Sequence, residues 1–223
     1  MAVAAPLVVH RTAADLQAWA ALAPLQGRYL PWSSAALRPA GLVAVLNDIE
    51  VRDRRVVVEL GGGVSSVYLA RLLASRGAGR LVAVEHDPGW AAWLEGALAR
   101  EGLDAVARVV RAPLAPHPLA WQGEWYATRA LLDGLPAEPI DLLLVDGPPA
   151  FEPGTECSRY PALPVLRDRL APDATVVLDD AGRDGERAVL ERWEEETGLR
   201  FERRAESARI AIARADGSEP LGA

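Results

Sequence analysis

The chain has 223 residues, half of them apolar, with 24 basic and 31 acidic side chains and a formal net charge of −7. That length carries one large domain, or a domain with a modest N-terminal extension, and supports a sizeable hydrophobic core. The acid excess and the lack of a contiguous basic block argue against a nucleic-acid partner; all basic side chains are arginine, which removes lysine Schiff-base and Walker-type chemistry, and the lone Cys157 rules out an internal disulfide or a Cys-rich metal site.

At the N-terminus, "MAVAAPLVVHRTAADL" has no basic stretch ahead of an apolar core, so no signal peptide is expected. No apolar run reaches the roughly 18–20 residues of a membrane span, so a cytoplasmic protein without a membrane partner is the expectation. "TAADLQAWAAL" and "SAALRPAGLVAVLNDIE" read as helices joined by the turn "GRYLPWSS", giving a helical cap over residues 1–54. From Val56 onward, short apolar runs alternate with helical patterns. The runs at 55–60, 80–86, 107–112, 140–146 and 174–180 are continuous rather than alternating, as in strands covered on both faces of a parallel sheet. Between them, "SSVYLARLLASR", "PGWAAWLEGALAREG", "GEWYATRALLDGL" and "SRYPALPVLRDRL" predict helices, and "DGERAVLERWEEETG" predicts one more. "LRFERRAESARIAIARA" then predicts an antiparallel hairpin, and residues 217–223 a frayed tail. The alternation implies an α/β domain over 55–216 with a doubly wound, Rossmann-like sheet, mostly parallel with a C-terminal antiparallel hairpin.

In such a sheet ligands settle at the carboxyl ends of the strands, where strand order reverses. "ELGGGVSS" ends the first strand. Gly61 and Gly63 let backbone approach a ligand and accept dihedrals a Cβ forbids, while Ser65 and Ser66 cap the next helix and offer hydroxyls to a carboxylate. A dinucleotide fingerprint asks for Gly where Ser66 stands. Glu59, just before the glycines, suits a cation better than a pyrophosphate, and Glu85 in "VEHD" suits a ribose diol. A ligand with a ribose, a positive centre and a small carboxylate meets all three features, and S-adenosylmethionine (SAM) is one.

Together, "VVVELGGGVSSVYLARLL", "LVAVEHDPGW", "VVRAPLA" and "IDLLLVDGPP" resemble the successive motifs of the class I SAM-dependent methyltransferases, across residues 30–214. The resemblance implies that Glu59 orients the amino end of the methionine moiety, that Gly61 and Gly63 pass beneath the adenosyl group, and that Ser65 lies near the carboxylate. It implies further that Glu85 holds the ribose hydroxyls, His86 stacks near the adenine, Ala112 reaches that ring through backbone, and Asp146 faces the sulfonium and the acceptor.

Methyl transfer is an in-line displacement that needs positioning and often a base. The candidate bases are Asp146, Asp179, Asp180, His86 and His117, with Asp146 first and Asp180 second. "DGPP" lacks the Asp/Asn-Pro-Pro-aromatic signature of amino-group methyltransferases, so a nucleic-acid base amine is not supported as acceptor; transfer to a small molecule or glycan, at oxygen, is the leading expectation. Asp146, Asp179 and Asp180 also resemble the Mg²⁺ ligands of catechol-type O-methyltransferases, but Ala181 stands where a third ligand is wanted. A metal is therefore not favoured. Asp179 is the candidate substitute, but adjacent strand residues point to opposite faces until the strand ends, which sets Asp179 apart from Asp180. Trp32, Trp121, Trp125 and Tyr126 either stack on the acceptor or pack in the core, and Arg159 either binds an acidic acceptor or frames its loop. Cys157 has no paired histidine and is a poor nucleophile. A non-catalytic SAM- or nucleotide-binding module and an NAD-dependent oxidoreductase are the alternatives, and a homo-oligomer is compatible with the sequence.

Overall fold

A computed structural model of the chain describes residues 13–121 and 123–217. The first twelve residues of the predicted cap and residues 218–223 of the predicted tail lie outside these. Two helices come first, α1 (Ala13–Ala21) and α2 (Pro39–Val51). The α/β core follows as β1 (Val56–Leu60), α3 (Val64–Arg76), β2 (Arg80–Glu85), α4 (Pro88–Arg100) and β3 (Ala107–Arg111). A short pair, β4 (Leu114–Pro116) and β5 (Glu124–Tyr126), precedes α5 (Thr128–Gly134), β6 (Ile140–Val145) and α6 (Ala162–Leu166). The chain closes with β7 (Leu170–Leu178), α7 (Asp184–Thr197), β8 (Glu202–Arg204) and β9 (Ile210–Arg214).

Seven strands form one sheet in the order β3-β2-β1-β6-β7-β9-β8. The first five are parallel, and β9 runs antiparallel to both β7 and β8, which is the expected C-terminal hairpin. The chain winds outward from β1 to β3 and then returns to place β6 on the other side of β1. Strand order thus reverses between β1 and β6, and their carboxyl ends flank the crevice where ligands of such sheets bind.

The apolar runs are continuous because both sheet faces are covered. Val57, Leu81, Leu142 and Val177 join α2, α3 and α4 in one core, while Val58, Val82, Leu143 and Val176 join α5, α6 and α7 in the other. α2 belongs to the first core through Leu42, Val45 and Ile49. It is also tied by charge: buried Asp48 accepts from Arg214 Nη2 at 3.0 Å and Thr175 Oγ1 at 2.6 Å, and lies 3.3 Å from Arg54 Nε. Among the described residues no helix is long and apolar enough to cross a membrane.

Three local readings change. The segment 124–126, predicted as the start of a helix, is a strand paired with β4, and the helix begins only at Thr128. Trp125 and Tyr126 are fully buried there, so tertiary packing overrides the helical spacing. The helix expected from "SRYPALPVLRDRL" is five residues long, bounded by Pro161 before it and a 3₁₀ turn over Arg167–Arg169. β7 starts four residues before the predicted position and stops at Leu178, which frees Asp179 and Asp180 from strand geometry.

Candidate functional site

The three glycines after β1 do different things. Gly61 has φ +90°, and a Cβ there would lie 2.7 Å from Gly147 N and 2.9 Å from the Asp146 carbonyl carbon. A Cβ at Gly147 would strike the Tyr126 hydroxyl and come within 2.8 Å of Gly61 Cα. The loops after β1 and β6 therefore cross backbone against backbone. A Cβ on Gly62 would meet Leu94 Cδ2 at 2.8 Å. Gly63, contrary to the sequence reading, is extended with φ −170° and needs no special freedom.

Behind this loop Glu59 is completely buried. Its carboxylate accepts the Ser65 hydroxyl at 2.5 Å and the Ser66 hydroxyl at the other oxygen. Burial raises Glu59 to about 7, against the two serine hydroxyls, which lower it. Ser66 is the third residue of α3 rather than its N-cap, and its Oγ accepts the Gly63 amide at 2.9 Å. The loop is held from the opposite side by Trp90, whose Nε1 donates to the Gly62 carbonyl at 2.7 Å. Trp90 is itself fixed by Asp87, which caps α4 by accepting the Trp90 amide at 2.6 Å.

Glu85 ends β2 and faces the same crevice. Its Oε1 accepts the Asp87 amide at 2.7 Å and lies 2.9 Å from His86 Nδ1, a contact whose angle falls short of a hydrogen bond. The carboxylate beside it raises the His86 pKa. The Ala112 amide donates to the Glu85 carbonyl at 2.9 Å and so is already engaged.

Asp146, Asp179 and Asp180 offer carboxylate oxygens that all lie within 4.8 Å of one another. The sequence reading separated Asp179 from Asp180. They converge because β7 has ended and Asp180 takes a left-handed φ of +58°, a conformation uncommon for a non-glycine residue. The fully buried Arg159 guanidinium sits among them. Its Nη2 is 3.3 Å from Asp146 Oδ1 and 3.4 Å from Asp180 Oδ2. Its Nη1 donates to the Asp179 carbonyl at 3.1 Å and lies 3.5 Å from Glu186 Oε1, and its Nε donates to the Pro148 carbonyl at 3.3 Å. Arg183 Nη1 lies 2.7 Å from Asp180 Oδ2, and Arg209 bonds the other Asp180 oxygen.

Burial and the neighbouring Asp179 charge push Asp146 well above the usual carboxylate range, against the Arg159 guanidinium, which lowers it. Burial and the charge on Asp180 raise Asp179 to about 6, and burial raises Glu186 to about 7. A divalent cation asks for a cage of oxygens with an excess of negative charge. Arg159 already bridges Asp146 and Asp180, and Arg183 and Arg209 also hold Asp180, so three guanidiniums offset the cluster and the residues present do not fit one.

A cleft of about 220 Å³ is lined by Gly61, Glu85, His86, Asp146 and Asp180, together with Arg159. Five of the predicted site residues thus meet on one surface. Glu59, Gly63, Ser65 and Ala112 are not on that wall: Glu59 and Ser65 stand behind the glycine loop and Ala112 is buried beneath Glu85. Of the aromatics, Tyr126 lines the cleft with its buried hydroxyl unpartnered. Trp125 is fully buried, Trp32 packs on Trp19 and Tyr68, and Trp121 stacks on Tyr160 at 5.1 Å. His117 accepts the Leu119 amide and packs on Trp125, away from the cleft. Cys157 is half-buried with its thiol pKa raised by burial, as expected of a poor nucleophile.

Sequence reasoning missed Trp90, Glu186 and Phe151. "HDPGW" does carry a signal for the first, since Asp followed by Pro opens a helix and fixes the third residue on. Phe151, at the cleft mouth and 67% exposed, and Glu186 have no local signature.

Comparison with known proteins points in one direction. A family model described as a methyltransferase domain matches residues 58–181, more than half of the chain. No match is found among curated proteins. The fold is similar to that of the O-methyltransferase TomG from Streptomyces achromogenes, involved in tomaymycin synthesis and solved with SAM, at 21% identity over 93% of this chain and 92% of that one, with a TM-score of 0.57. An O-methyltransferase from Bacillus cereus, in complex with S-adenosylhomocysteine (SAH), matches at 17% identity over 93% of each chain with a TM-score of 0.57. The SAH-bound methyltransferase PaMTH1 of Podospora anserina matches at 14% identity over 91% of this chain and 88% of that one, with a TM-score of 0.60.

Proposed function

Because the chain belongs to this methyltransferase-domain family, we propose that it transfers a methyl group from SAM to an oxygen atom of a small-molecule or glycan acceptor. The observation that carries this reading is that the Gly61 bend lies between two acids on one cleft wall, Glu85 on one side and Asp146 on the other. A sulfonium nucleoside presents a diol to one and a positive charge to the other. That TomG and the Bacillus cereus protein are O-methyltransferases supports oxygen as the acceptor atom.

When bound, SAM supplies an electrophilic methyl group on a positively charged sulfur. The residues of this chain hold and orient it. Both contacts of Glu85 go to Oε1, so Oε2 remains for the ribose hydroxyls. Glu59, through Ser65 and Ser66, fixes the start of α3, whose first turn faces the methionine end. Gly63 continues that bend, His86 borders the adenosyl side, and Ala112 supports Glu85 from below. Burial raises the Asp146 pKa, and a cation placed beside it favours its charged form. The Asp146 carboxylate would take the acceptor's hydroxyl proton as the acceptor oxygen gains the methyl group and the methyl–sulfur bond breaks, SAH being the leaving group. Asp180 holds Arg159 next to Asp146 and keeps the loops together. Residues 13–54 act as a cap that reaches the cleft at Ala35. A cytoplasmic place of action fits the single unpaired cysteine.

The test is turnover. Full-length protein with SAM and a panel of phenols, hydroxy acids and sugars is expected to release SAH with at least one acceptor. Asp146→Asn is expected to lose that release while still binding SAH in calorimetry. A protein that binds neither SAM nor SAH would sink the reading, and one that binds both without turnover under any acceptor would favour a binding module.

A further inference from the structure

Three carboxylates within reach of a single ion, at the mouth of a cleft, pose the question of what balances them. We infer that Arg159 is the resident cation of this site: its guanidinium stands where a divalent metal would stand among Asp146, Asp179 and Asp180, and methyl transfer in this protein proceeds without one. The inference rests on the proposed methyl transfer for its functional consequence, but not for its test.

The geometry is that of a built cation site. The guanidinium reaches two carboxylates, Asp146 and Asp180, at 3.3 and 3.4 Å, and two backbone carbonyls, Asp179 and Pro148, at 3.1 and 3.3 Å. These groups come from the loops after both β6 and β7, so one planar fork joins the two strand ends as an ion bridging them would. Each of its three nitrogens has a protein partner, and the side chain is only 4% exposed. A metal entering here would have to expel it.

Arg159 is not free to leave. The carbonyl of the next residue, Tyr160, accepts Trp193 Nε1 at 2.8 Å, and the Tyr160 hydroxyl bonds Glu196 at 2.8 Å. Both partners are on α7, so the segment carrying Arg159 is nailed to a helix of the core. The charge balance agrees. Asp146, Asp179, Asp180 and Glu186 face Arg159, Arg183 and Arg209, four acids against three guanidiniums. At most one negative charge remains, too little for a dication that must also shed its water.

Two consequences follow. Arg159 is a positioning residue: four of its five N–H donors go to protein oxygens, and it holds Asp146 beside the cleft. The acceptor then presents a single hydroxyl beside Asp146, rather than a pair of oxygens chelated to a metal.

The experiment uses full-length protein stripped with EDTA, and Mn²⁺ as the probe, followed by the electron paramagnetic resonance of the free ion and by thermal melts. Wild type is expected to leave Mn²⁺ free and to melt at the same temperature with Mn²⁺ or EDTA. Arg159→Met exposes the carboxylates to one another, so it is expected to bind Mn²⁺ at least about tenfold more tightly than wild type and to regain melting temperature when Mn²⁺ is added. Adding Asp179→Asn to that variant is expected to remove the binding. Arg159→Gln is the milder second variant with the same expectation. Stoichiometric Mn²⁺ binding by wild type that Asp179→Asn abolishes would overturn the inference. Failure of both Arg159 variants to gain Mn²⁺ would overturn the role given to Arg159. SAH titration of the same wild-type sample keeps the two readings apart, because loss of SAH binding bears on methyl transfer and Mn²⁺ binding bears only on Arg159.

Discussion

Gly61 and Gly147 touch main chain to main chain, so that a methyl group on Gly61 would lie 2.7 Å from the Gly147 nitrogen and one on Gly147 would lie 2.8 Å from Gly61 Cα. The two residues follow adjacent parallel strands, at the point where strand order reverses. The bareness of this bend therefore serves the packing of two loops as well as the approach of a ligand. Gly61→Ala adds a left-handed conformation to the collision, since φ there is +90°. Each of Gly61→Ala and Gly147→Ala is expected to destabilise the protein by about 1–3 kcal/mol, as an overpacked core position does. Both are expected to weaken SAH binding, because each displaces a cleft wall. Urea unfolding and calorimetry measure the two effects, and a Gly147→Ala protein with an unchanged midpoint would contradict the contact.

Glu85 separates binding from folding. Its side chain makes only local contacts, to the Asp87 amide and His86. Glu85→Ala is expected to weaken SAH by about 1.5–3 kcal/mol, roughly ten- to a hundredfold, the loss typical of hydrogen bonds to a charged group. Far-UV circular dichroism is expected to stay as in wild type. An SAH affinity within twofold of wild type would remove Glu85 from the proposed site.

What the sequence made legible follows from what is local. The parallel strands, their order of appearance and the closing hairpin are written in continuous apolar runs, because strands buried on both faces have no polar positions. Gly61, Glu85, His86, Asp146 and Asp180 were readable because each sits at or just past a strand end, where the fold itself places ligands. Failures came where tertiary contact decides. Trp125 and Tyr126 fit a helical spacing but pair with Leu114 and Ala115 instead. Gly63 looked like its neighbours and is plainly extended. Convergence of Asp179 and Asp180 depends on one left-handed residue, and the presence of Arg159 between them depends on a loop thirteen residues beyond Asp146 that is anchored to α7. No short-range pattern encodes either.

Asp146 gives the cleft a proton linkage. Burial raises its pKa above the ordinary carboxylate range, and a positive sulfur beside it favours ionisation. SAM binding near neutral pH is therefore expected to release a proton, and its affinity to rise with pH as the acid ionises in advance. SAH carries no such charge, and its affinity is expected to change less. Calorimetry in buffers of different ionisation enthalpy reads the proton directly. Equal proton release for SAM and SAH would contradict the placement of Asp146, and Asp146→Asn is expected to abolish the difference.

Asp48 joins α2 to the sheet through charge, and its loss leaves the buried Arg214 guanidinium without its counter-ion, while Arg54 keeps Asp173 at 2.8 Å. Arg54 and Arg214 are each 2% exposed, and Asp48 contacts both. Removing one partner of a buried pair costs about 3–5 kcal/mol. Asp48→Ala is expected to lose that much in urea unfolding, and Asp48→Asn less, because it keeps the Thr175 hydroxyl and one arginine contact. Stability within about 1 kcal/mol of wild type for Asp48→Ala would mean that water solvates the arginines and that α2 is held by its apolar face alone.

The buried acids also set the pH dependence of stability. Glu59 moves from an ordinary 4.5 to about 7 in the fold, so between these values the native state holds a proton that the unfolded chain has released. Stability then falls as pH rises, because the native state binds more protons than the unfolded one. The contribution is fully present below pH 4.5 and is lost through about 7, on the order of 3 kcal/mol for Glu59. Asp179 and Glu186, raised to about 6 and about 7, act in the same direction. The protein without cofactor is therefore expected to unfold at lower urea at pH 8 than at pH 5.5. Glu59→Gln keeps groups that bond Ser65 and Ser66 but carries no charge to bury. It is expected to flatten the slope and to narrow the gap between the two pH values by about 1–3 kcal/mol. A Glu59→Gln profile parallel to wild type would show that the Ser65 and Ser66 hydroxyls already hold the carboxylate charged at neutral pH.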